Sequence, residues 1–405
     1  MEGHNVFSVP NATTPYCDIL IIGAGLSGVA TAYHLLDDNP SPPSIVILET
    51  RQVCPGATGR NGGHLMRVHA HIEKVTKEAG PEAAKELSQF QASQVHAMKR
   101  VAEKEKLDCD ALLTWYLETS VSQPQADEQR KVYENQVENN LDFIGDINYI
   151  QPKYVEEISG VKGAKGGLTA TALQLWPYKF VTCLLARLIE RSSINAQTHT
   201  RVTSISQCKD GFSIASTPRG SIRAKKVVYA TNGYTSGHLP EFAKKIVPVK
   251  VTCSHISTPK GSANPPPHLN HTYGLSYEPL GTRDYLIPRP DGTVICGGAR
   301  NTTLIEPARA HFETIMQKNF IGWEDSGAHV DYLWTGTDGW PHCGQVPSRE
   351  KHYILAGYNV AGMPLIFLTA KGIAKMIRDD VPFESTSIPK IFKTTEEHLK
   401  KDVTS

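Results

Sequence analysis

The 405-residue chain carries 42 basic and 41 acidic side chains, which leaves a formal net charge of +1. This balance argues against a general electrostatic attraction to nucleic acid or to an anionic membrane surface. The length is too great for one ordinary core, and about two or three domains are expected.

Cysteine usage and the chain's N-terminus bear on location. The eight cysteines are scattered and form no CxxC pair, so we expect reduced thiols and a cytoplasmic protein. The N-terminus lacks the basic and apolar regions of a signal peptide, and no apolar run approaches membrane-spanning length. Residues 1–15 are polar and contain proline, which predicts a loose arm.

Residues 17–49 carry the strongest motif of the chain. An apolar run at Ile19–Ile22 is followed by the glycine-rich turn 23–28, a helical pattern through Leu36, and a second apolar run that ends in Glu49. This order predicts a βαβ unit that binds a dinucleotide. The alternative is an ordinary strand-to-helix turn, which would not require the terminal acid.

Each glycine of this turn meets a different structural requirement. Gly23 allows the tight turn, Gly25 lets a pyrophosphate approach the backbone, and a side chain at Gly28 would push the helix off the sheet. The helix N-terminus offers free N–H groups and a partial positive charge to the phosphates. Glu49 is placed to accept hydrogen bonds from the ribose hydroxyls.

The next segment, residues 50–64, contains too many small residues to pack a core. We expect it to become ordered against the dinucleotide, with Arg60 facing a phosphate and the backbone of 61–63 close to a flat ring. A flexible surface loop is the alternative.

The middle of the chain predicts a long amphipathic helix with a structural role, followed by further strands and helices. The predicted helices are 81–106, 127–139 and 178–191, and the predicted strands are 112–121, 196–205, 211–216 and 221–230.

The last third predicts strands over 248–298, interrupted by a proline-rich loop at 258–267 that is either a lid or a linker. A hairpin is expected at 285–296. Further expectations are a helix at 307–319, a loop at 334–344, a strand at 353–356, a helix at 362–377 and a weakly structured tail after 382.

The chain resembles the D-amino-acid-oxidase-like family of FAD-dependent oxidoreductases, which includes sarcosine and glycine oxidases, and it is most similar to the fungal branch. The segments that carry the resemblance are DILIIGAGLSG (18–28), ATGRNGGHL (57–65), ATNGYTS (230–236), DYLIPRPDG (284–292) and AGMPLIFLTAKGIAKM (361–376).

The resemblance implies an α/β fold with two parts. One is a Rossmann-like FAD-binding domain, a parallel sheet with a crossover β-meander, built from 1–85, 160–245 and 330–405. The other is a smaller α+β substrate domain with a mixed or antiparallel sheet, built from 86–159 and 246–329.

The resemblance also implies FAD as the cofactor, bound without a covalent link, and it assigns residues to it. Gly362 and Met363 would lie at a helix N-terminus beside the flavin C2 carbonyl, where they would stabilise negative charge on the reduced ring. The other implied cofactor residues are Gly23, Gly25, Leu26, Ser27, Gly28, Glu49, Thr50, Arg51, Thr58, Arg60, Asn61, Gly62, Gly63, Val202, Ala230 and Thr231.

Three departures from the family pattern suggest altered chemistry. Cys296 stands where members that activate oxygen with a lysine carry it. The segment 334–344 is shorter than usual. The usual Gly-His-Gly-Met reads Val-Ala-Gly-Met at 360–363, which removes a histidine beside the flavin.

The implied reaction is oxidation of a small amine or amino acid by hydride transfer from carbon to flavin N5. The product is an imine that water hydrolyses or a neighbouring nucleophile traps, and oxygen or another acceptor takes the electrons. A carboxylate substrate calls for an arginine with a tyrosine hydroxyl, and the hairpin offers Arg283, Tyr285, Arg289 and Arg300.

Other side chains have two interpretations each. His64 is either a proton acceptor or a histidine satisfied by the backbone. Cys296, expected near the ring, is either a reactive thiol or a packed one. Tyr273, Tyr277, Trp334 and Trp340 either form an aromatic cage for the amine or fill a core. His69 and His71 could bind a metal if on a strand, but no third ligand is in sight, so we expect no metal site.

Three rival functions stay open. The first is a tailoring flavoenzyme of fungal secondary metabolism that oxidises a C–N or C–C bond in a larger substrate. The second is an NAD(P)-dependent dehydrogenase, against which segment 57–65 and the strand that ends at Ala230 argue. The third is a catalytically silent binding protein that keeps the fold.

Overall fold

The computed structural model describes residues 15–138, 146–192, 194–246, 251–261, 265–278, 282–298, 305–336, 341–358 and 362–400. Arg300, Trp340 and nearly all of the expected N-terminal arm lie outside these ranges. The helices of the described residues are α1 (Leu26–Leu36), α2 (His69–Ala79), α3 (Pro81–Lys104), α4 (Gln123–Glu138), α5 (Pro152–Ser159), α6 (Pro177–Arg191), α7 (Ile305–Asn319), α8 (Ile366–Asp379) and α9 (Glu396–Lys400).

The first sheet contains the predicted βαβ unit. Its strands are β1 (Tyr16–Ile22), β2 (Ile45–Leu48), β7 (Asn195–Gln197), β8 (Ser204–Gln207), β9 (Ser213–Thr217), β10 (Gly220–Tyr229), β16 (His342–Gln345) and β17 (His352–Ala356). The central order β17-β10-β1-β2-β7 is parallel, and β16 joins β17 antiparallel. Strands β8 and β9 form the antiparallel crossover beside β10. The predicted Rossmann-like fold is confirmed.

The second sheet is mixed, as expected, since β4 and β12 run parallel and the other pairs run antiparallel. Nine of the described strands belong to it and eight to the first sheet. Its strands are β3 (His64–Leu65), β4 (Leu112–Ser120), β5 (Asn148–Ile150), β6 (Gly166–Gln174), β11 (Val251–Ser257), β12 (Thr272–Tyr277), β13 (Thr282–Pro288), β14 (Val294–Gly298) and β15 (His329–Gly336).

The core of the first sheet explains its apolar sequence. Ile21 of β1 pairs with Val228 of β10 and Ile47 of β2, and all three side chains are buried. Helices cover one face of the sheet, and the crossover strands with the segment 239–246 cover the other, so the central strands are buried on both faces and are apolar without alternation. Helices α1 and α8 pack together over one face, where the rings of Tyr33 and Phe367 lie 5.9 Å apart.

Several boundaries differ from the sequence predictions. The predicted loop 334–344 contains the end of β15 and the start of β16, and segment 166–174 is a strand. The predicted strand 196–205 divides into β7 and β8. The last long helix begins at Ile366, because residues 362–365 form a turn before it.

The helix α2 was not predicted, although its junction with α3 carries standard boundary residues. Gly80 has a φ of 85° and ends α2, while Pro81 occupies the first turn of α3. Glycine after a helix and proline at the start of the next one are common at helix boundaries.

Strands β3, β6 and β15 join the second sheet although the predicted division gave 64–65, 166–174 and 330–336 to the first part. The division itself stays a prediction.

Within the described residues, every helix is too short or too polar to cross a bilayer.

Candidate functional site

A cavity of about 1090 Å³ lies between the carboxyl ends of β1, β2 and β10 and the second sheet. In open α/β sheets, ligands bind at this end of the strands. Of the predicted cofactor residues, all except Gly28 and Gly63 line it. The residues in question are Gly23, Gly25, Leu26, Ser27, Glu49, Thr50, Arg51, Thr58, Arg60, Asn61, Gly62, Val202, Ala230, Thr231, Gly362 and Met363.

The three glycines of the turn 23–28 have different surroundings. A Cβ atom on Gly23, whose φ is 109°, would lie 2.5 Å from the Ala230 carbonyl oxygen, so a side chain there would clash with the end of β10. A Cβ on Gly28 would overlap the Gly23 carbonyl oxygen. Gly25 differs, because its Cβ would meet only the Thr58 hydroxyl, at 3.3 Å, and otherwise enter the cavity.

The carboxylate of Glu49 bridges two backbone N–H groups. Oε2 accepts a hydrogen bond from Ala24 (3.0 Å) and Oε1 accepts one from Arg51 (2.9 Å). Each carboxylate oxygen has a further lone pair, so the side chain can still accept bonds from a ligand. The Arg51 guanidinium lies 5.6 Å from the centre of the Tyr234 ring, and both residues line the cavity.

The loop of residues 50–64 is ordered by its own side chains. The Asn61 amide donates to the carbonyls of Ala57 (3.2 Å) and Thr58 (2.9 Å) and accepts from the N–H of Gly63 (2.8 Å). Thr58 Oγ1 accepts from the N–H of Leu26 (3.1 Å), which ties the loop to the start of α1. The alternative of a flexible loop does not agree with this network. Arg60 is exposed and donates to the Pro55 carbonyl (3.1 Å).

Asn232 is a site residue that sequence reasoning did not assign. It follows β10 with a φ of 42°, and its side-chain oxygen accepts from the N–H groups of Gly357 (2.9 Å) and Tyr358 (3.1 Å). These bonds hold the turn after β10 against the segment that leads into α8. The small polar turn after a buried strand was the available signal.

The second sheet supplies the opposite wall of the cavity. Arg283 lines it from β13, with 34% of its side chain exposed, and forms an ion pair with the buried carboxylate of Glu118. The Tyr285 hydroxyl lies 3.0 Å from Cys253 Sγ. A Cβ on Gly62 would lie 3.0 Å from the Tyr285 ring, so the two walls meet closely at this point.

His64 lines the cavity in a neutral form. Its Nε2 lies 2.7 Å from the Thr272 hydroxyl, and its ring meets the edge of Tyr116 at 5.1 Å. Burial lowers the pKa of His64 to about 3. The predicted role of proton acceptor is weakened by this shift, and the partner is a side-chain hydroxyl rather than the backbone.

The position of Cys296 does not agree with its predicted place beside the ring. The thiol is fully buried in the core of the second sheet and is not among the residues that line the cavity. Burial raises the pKa of Cys296 well above its ordinary value. The interpretation as a packed thiol therefore fits. Arg289 also points elsewhere, since its guanidinium donates to Asp110 at 2.8 Å.

The aromatic cage is not formed by the described tyrosines. Tyr273 is buried against Phe320, with ring centres 5.1 Å apart, and Tyr277 packs against the same core. The Trp334 side chain lies outside the described part. His69 and His71 begin helix α2 instead of lying on a strand, and within the described ranges no group of three potential ligands surrounds a metal position.

The residues of the cavity fit a dinucleotide. Gly25 leaves room where a Cβ would stand, the N-terminus of α1 begins beside that space, and Glu49 lies at the end of the adjacent strand. These three features serve the pyrophosphate and the ribose in a βαβ unit. The volume slightly exceeds the roughly 300–1,000 Å³ that small-molecule sites occupy, as an extended cofactor with a substrate requires.

Comparisons with known proteins agree with this geometry. The model of the family described as FAD dependent oxidoreductase matches residues 18–376. The gamma-glutamylputrescine oxidoreductase of Escherichia coli is 24% identical over 387 residues, which cover 90% of this chain and 84% of that protein.

Solved structures share the fold. Glycine oxidase from Geobacillus kaustophilus superposes with a TM-score of 0.73 and 18% identity, covering 95% of this chain and 99% of that one. L-amino acid deaminase from Proteus vulgaris, lacking its specific insertion sequence, gives a TM-score of 0.72 with 15% identity and 95% coverage of both chains.

Proposed function

The chain belongs to the FAD-dependent oxidoreductase family, and on that premise we propose that it oxidises a small amine that carries a carboxylate, such as an amino acid. The similar proteins are named for glycine, L-amino acids and gamma-glutamylputrescine. Each of these compounds carries both an amine and a carboxylate.

The observation that carries the proposal is the charge of the cavity wall opposite the glycine turn. Arg283 lines this wall from β13, and Lys74 lines the cavity from α2. Among the described residues the only carboxylate that lines the cavity is Glu49, beside the glycine turn. A fixed guanidinium binds a carboxylate through two parallel hydrogen bonds. We therefore propose Arg283 as the substrate's carboxylate ligand, oriented by Glu118.

We propose that the nucleotide end of FAD lies against the turn 23–28 and Glu49, and the flavin end between Gly62 and Met363. Bound FAD supplies a two-electron acceptor for the hydride that leaves the carbon next to nitrogen, so the substrate becomes an imine. Tyr285, held by Cys253, would orient the substrate over this region. Since His64 is too weak a base to deprotonate an ammonium group, the substrate would enter as the free amine.

Anaerobic mixing of the flavin-loaded protein with candidate substrates tests this proposal. An amino acid should bleach the flavin absorption, whereas its primary amide should do so only at far higher concentration, because it lacks the charge that Arg283 would bind. Equal bleaching by both would contradict the carboxylate assignment. Failure of every amine would instead favour a catalytically silent flavin-binding protein.

The electron acceptor, the fungal branch and the cytoplasmic location stay predictions. All eight cysteines are free thiols, which supports a reducing compartment.

A further inference from the structure

Helix α8 begins at the cavity without a cap of its own. Its N-cap residue is Leu365, whose side chain has no oxygen to accept a bond from the first N–H groups of the helix. Such groups need a partner when they are buried. The N–H of Leu368 finds one in Oε1 of Gln94, at 2.8 Å, which belongs to α3 and stands 274 residues earlier in the chain.

The same amide makes a second bond at the cavity wall. Nε2 of Gln94 donates to the Met363 carbonyl at 2.8 Å, and the glutamine side chain is fully buried. A carbonyl only accepts and an N–H only donates, so these two partners fix the orientation of the amide. One side chain thus links the turn 362–365, which lines the cavity, to the first turn of α8.

A second glutamine of α3 supports another part of the cavity wall. Oε1 of Gln91, also fully buried, accepts from the N–H of Val68 at 3.0 Å, and Val68 lines the cavity. Polar side chains in a helix are ordinarily left in water. Gln91 and Gln94 are buried one turn apart, and each bonds a backbone group at the cavity wall. We therefore expect them to contribute more than packing.

We propose that Gln94 is a positioning residue for the cofactor, because its amide sets the place of the Met363 turn and of the α8 N-terminus against the bound flavin. This inference rests on the proposed location of the flavin beside Met363. A helix N-terminus carries a partial positive charge that stabilises negative charge on a reduced ring. Loosening the turn should weaken this effect and lower the reduction potential of the flavin.

Three variants of the full-length protein, reconstituted with FAD, test the role. Gln94→Met keeps the side-chain volume and removes both bonds. Gln94→Leu also removes both bonds, with an uncharged side chain of somewhat different shape. Ser88→Ala is the matched control, since Ser88 is equally buried on α3 and its hydroxyl has no partner among the described residues.

We expect Gln94→Met to weaken FAD binding about tenfold or more. Both Gln94 variants should shift the flavin reduction potential to more negative values and change the visible flavin spectrum, while Ser88→Ala should change none of these. A purely structural residue would lower the unfolding temperature without moving the potential.

The outcomes separate this inference from the proposed function. Wild-type potential, spectrum and FAD affinity in both folded Gln94 variants would overturn it, even if amines still bleach the flavin. If Gln94→Met does not fold, Gln94→Leu decides alone, and its failure to fold would also overturn the positioning role in favour of a structural one. Loss of amine oxidation in the wild-type protein would contradict the proposed function, but it would leave the measured potentials to decide the role of Gln94.

Discussion

Glu49 accepts a hydrogen bond from the backbone N–H of Ala24, with a distance of 3.0 Å between Oε2 and the nitrogen. The acid that ends β2 therefore stabilises the glycine-rich turn that follows β1. The second carboxylate oxygen holds the N–H of Arg51. One side chain thus shapes both segments between which a ribose would be bound.

Replacing Glu49 should weaken FAD binding. Glu49→Leu removes both backbone bonds and the proposed ribose acceptor, and hydrogen bonds to charged groups are worth about 1.5–3 kcal/mol each. The FAD dissociation constant, measured by titration of the apoprotein, should rise at least about tenfold. Asp18→Asn is the control, because Asp18 also accepts a backbone N–H, from Ser44 at 2.9 Å, but lies away from the cavity. An unchanged affinity in Glu49→Leu would contradict the assignment.

Gly28→Ala should destabilise the fold. The added Cβ would overlap the Gly23 carbonyl oxygen and contact Ile21, so α1 must move off the sheet. Overpacking of this kind costs about 1–3 kcal/mol of unfolding free energy. Chemical denaturation measures the loss. The matched change is Gly237→Ala, whose Cβ would meet nothing within 4 Å and which should be nearly neutral. Equal stability of the two variants would argue against the close packing.

The parts that the sequence predicted well depend on local order. The turn 23–28, its strand and the acid at Glu49 follow one another within 33 residues, so their spacing alone identifies the unit. The parallel sheet followed from the buried apolar strands, and the hairpin of β13 and β14 followed from the Pro-Asp-Gly turn between them.

The parts that the sequence did not predict depend on contacts between distant segments. Glu118 and Arg283 meet across the second sheet, and no spacing in the sequence relates them. Gln94 was overlooked because the buried face of an amphipathic helix is recognised by its apolar residues, and a glutamine is assigned to the solvent-exposed face. Cys296 was placed near the ring from the family resemblance, and a shared strand position does not say whether the side chain faces the cavity or the core.

Arg283→Met should abolish selectivity for carboxylates. Removing the guanidinium leaves Glu118 buried without its ion-pair partner, so the free energy of unfolding should fall by at most about 3–5 kcal/mol. The loss should be smaller than for a fully buried pair, because 34% of the Arg283 side chain is exposed to water. Binding of a simple carboxylate inhibitor should weaken at least about tenfold, whereas FAD affinity should be unchanged.

Arg289→Met is the control for this prediction. Arg289 is also largely buried and paired with a carboxylate, Asp110, but does not line the cavity. It should lose stability without losing inhibitor affinity. If both variants bind the inhibitor as the wild type does, Arg283 is not the carboxylate ligand.

Stability should fall in mild acid, in part through His352. Its ring bonds the hydroxyls of Ser213 (2.8 Å) and Tyr229 (3.0 Å), and burial, with Arg349 nearby, lowers the pKa to about 4 from an ordinary 6.5. The unfolded chain takes up this proton first, so the stabilisation is complete above pH 6.5 and is lost as pH falls toward 4.

The variant His352→Gln removes the titrating ring and keeps a hydrogen-bonding amide. Between the two pKa values, the slope of unfolding free energy against pH should decrease by about 1.4 kcal/mol per pH unit relative to the wild type. Denaturation series at several pH values measure both slopes. Identical slopes would show that the pKa of His352 in the folded protein is not lowered below its value in the unfolded chain.

The most direct test of the central claim, an FAD bound across the glycine turn in the cavity between the sheets, is the visible absorption of the protein after incubation with FAD and gel filtration. The wild-type protein should emerge yellow, and Gly25→Val, with unchanged circular dichroism, should emerge colourless, because its side chain fills the space for the pyrophosphate. A folded wild-type protein that stays colourless, or a Gly25→Val variant that retains the full flavin spectrum, would contradict the account.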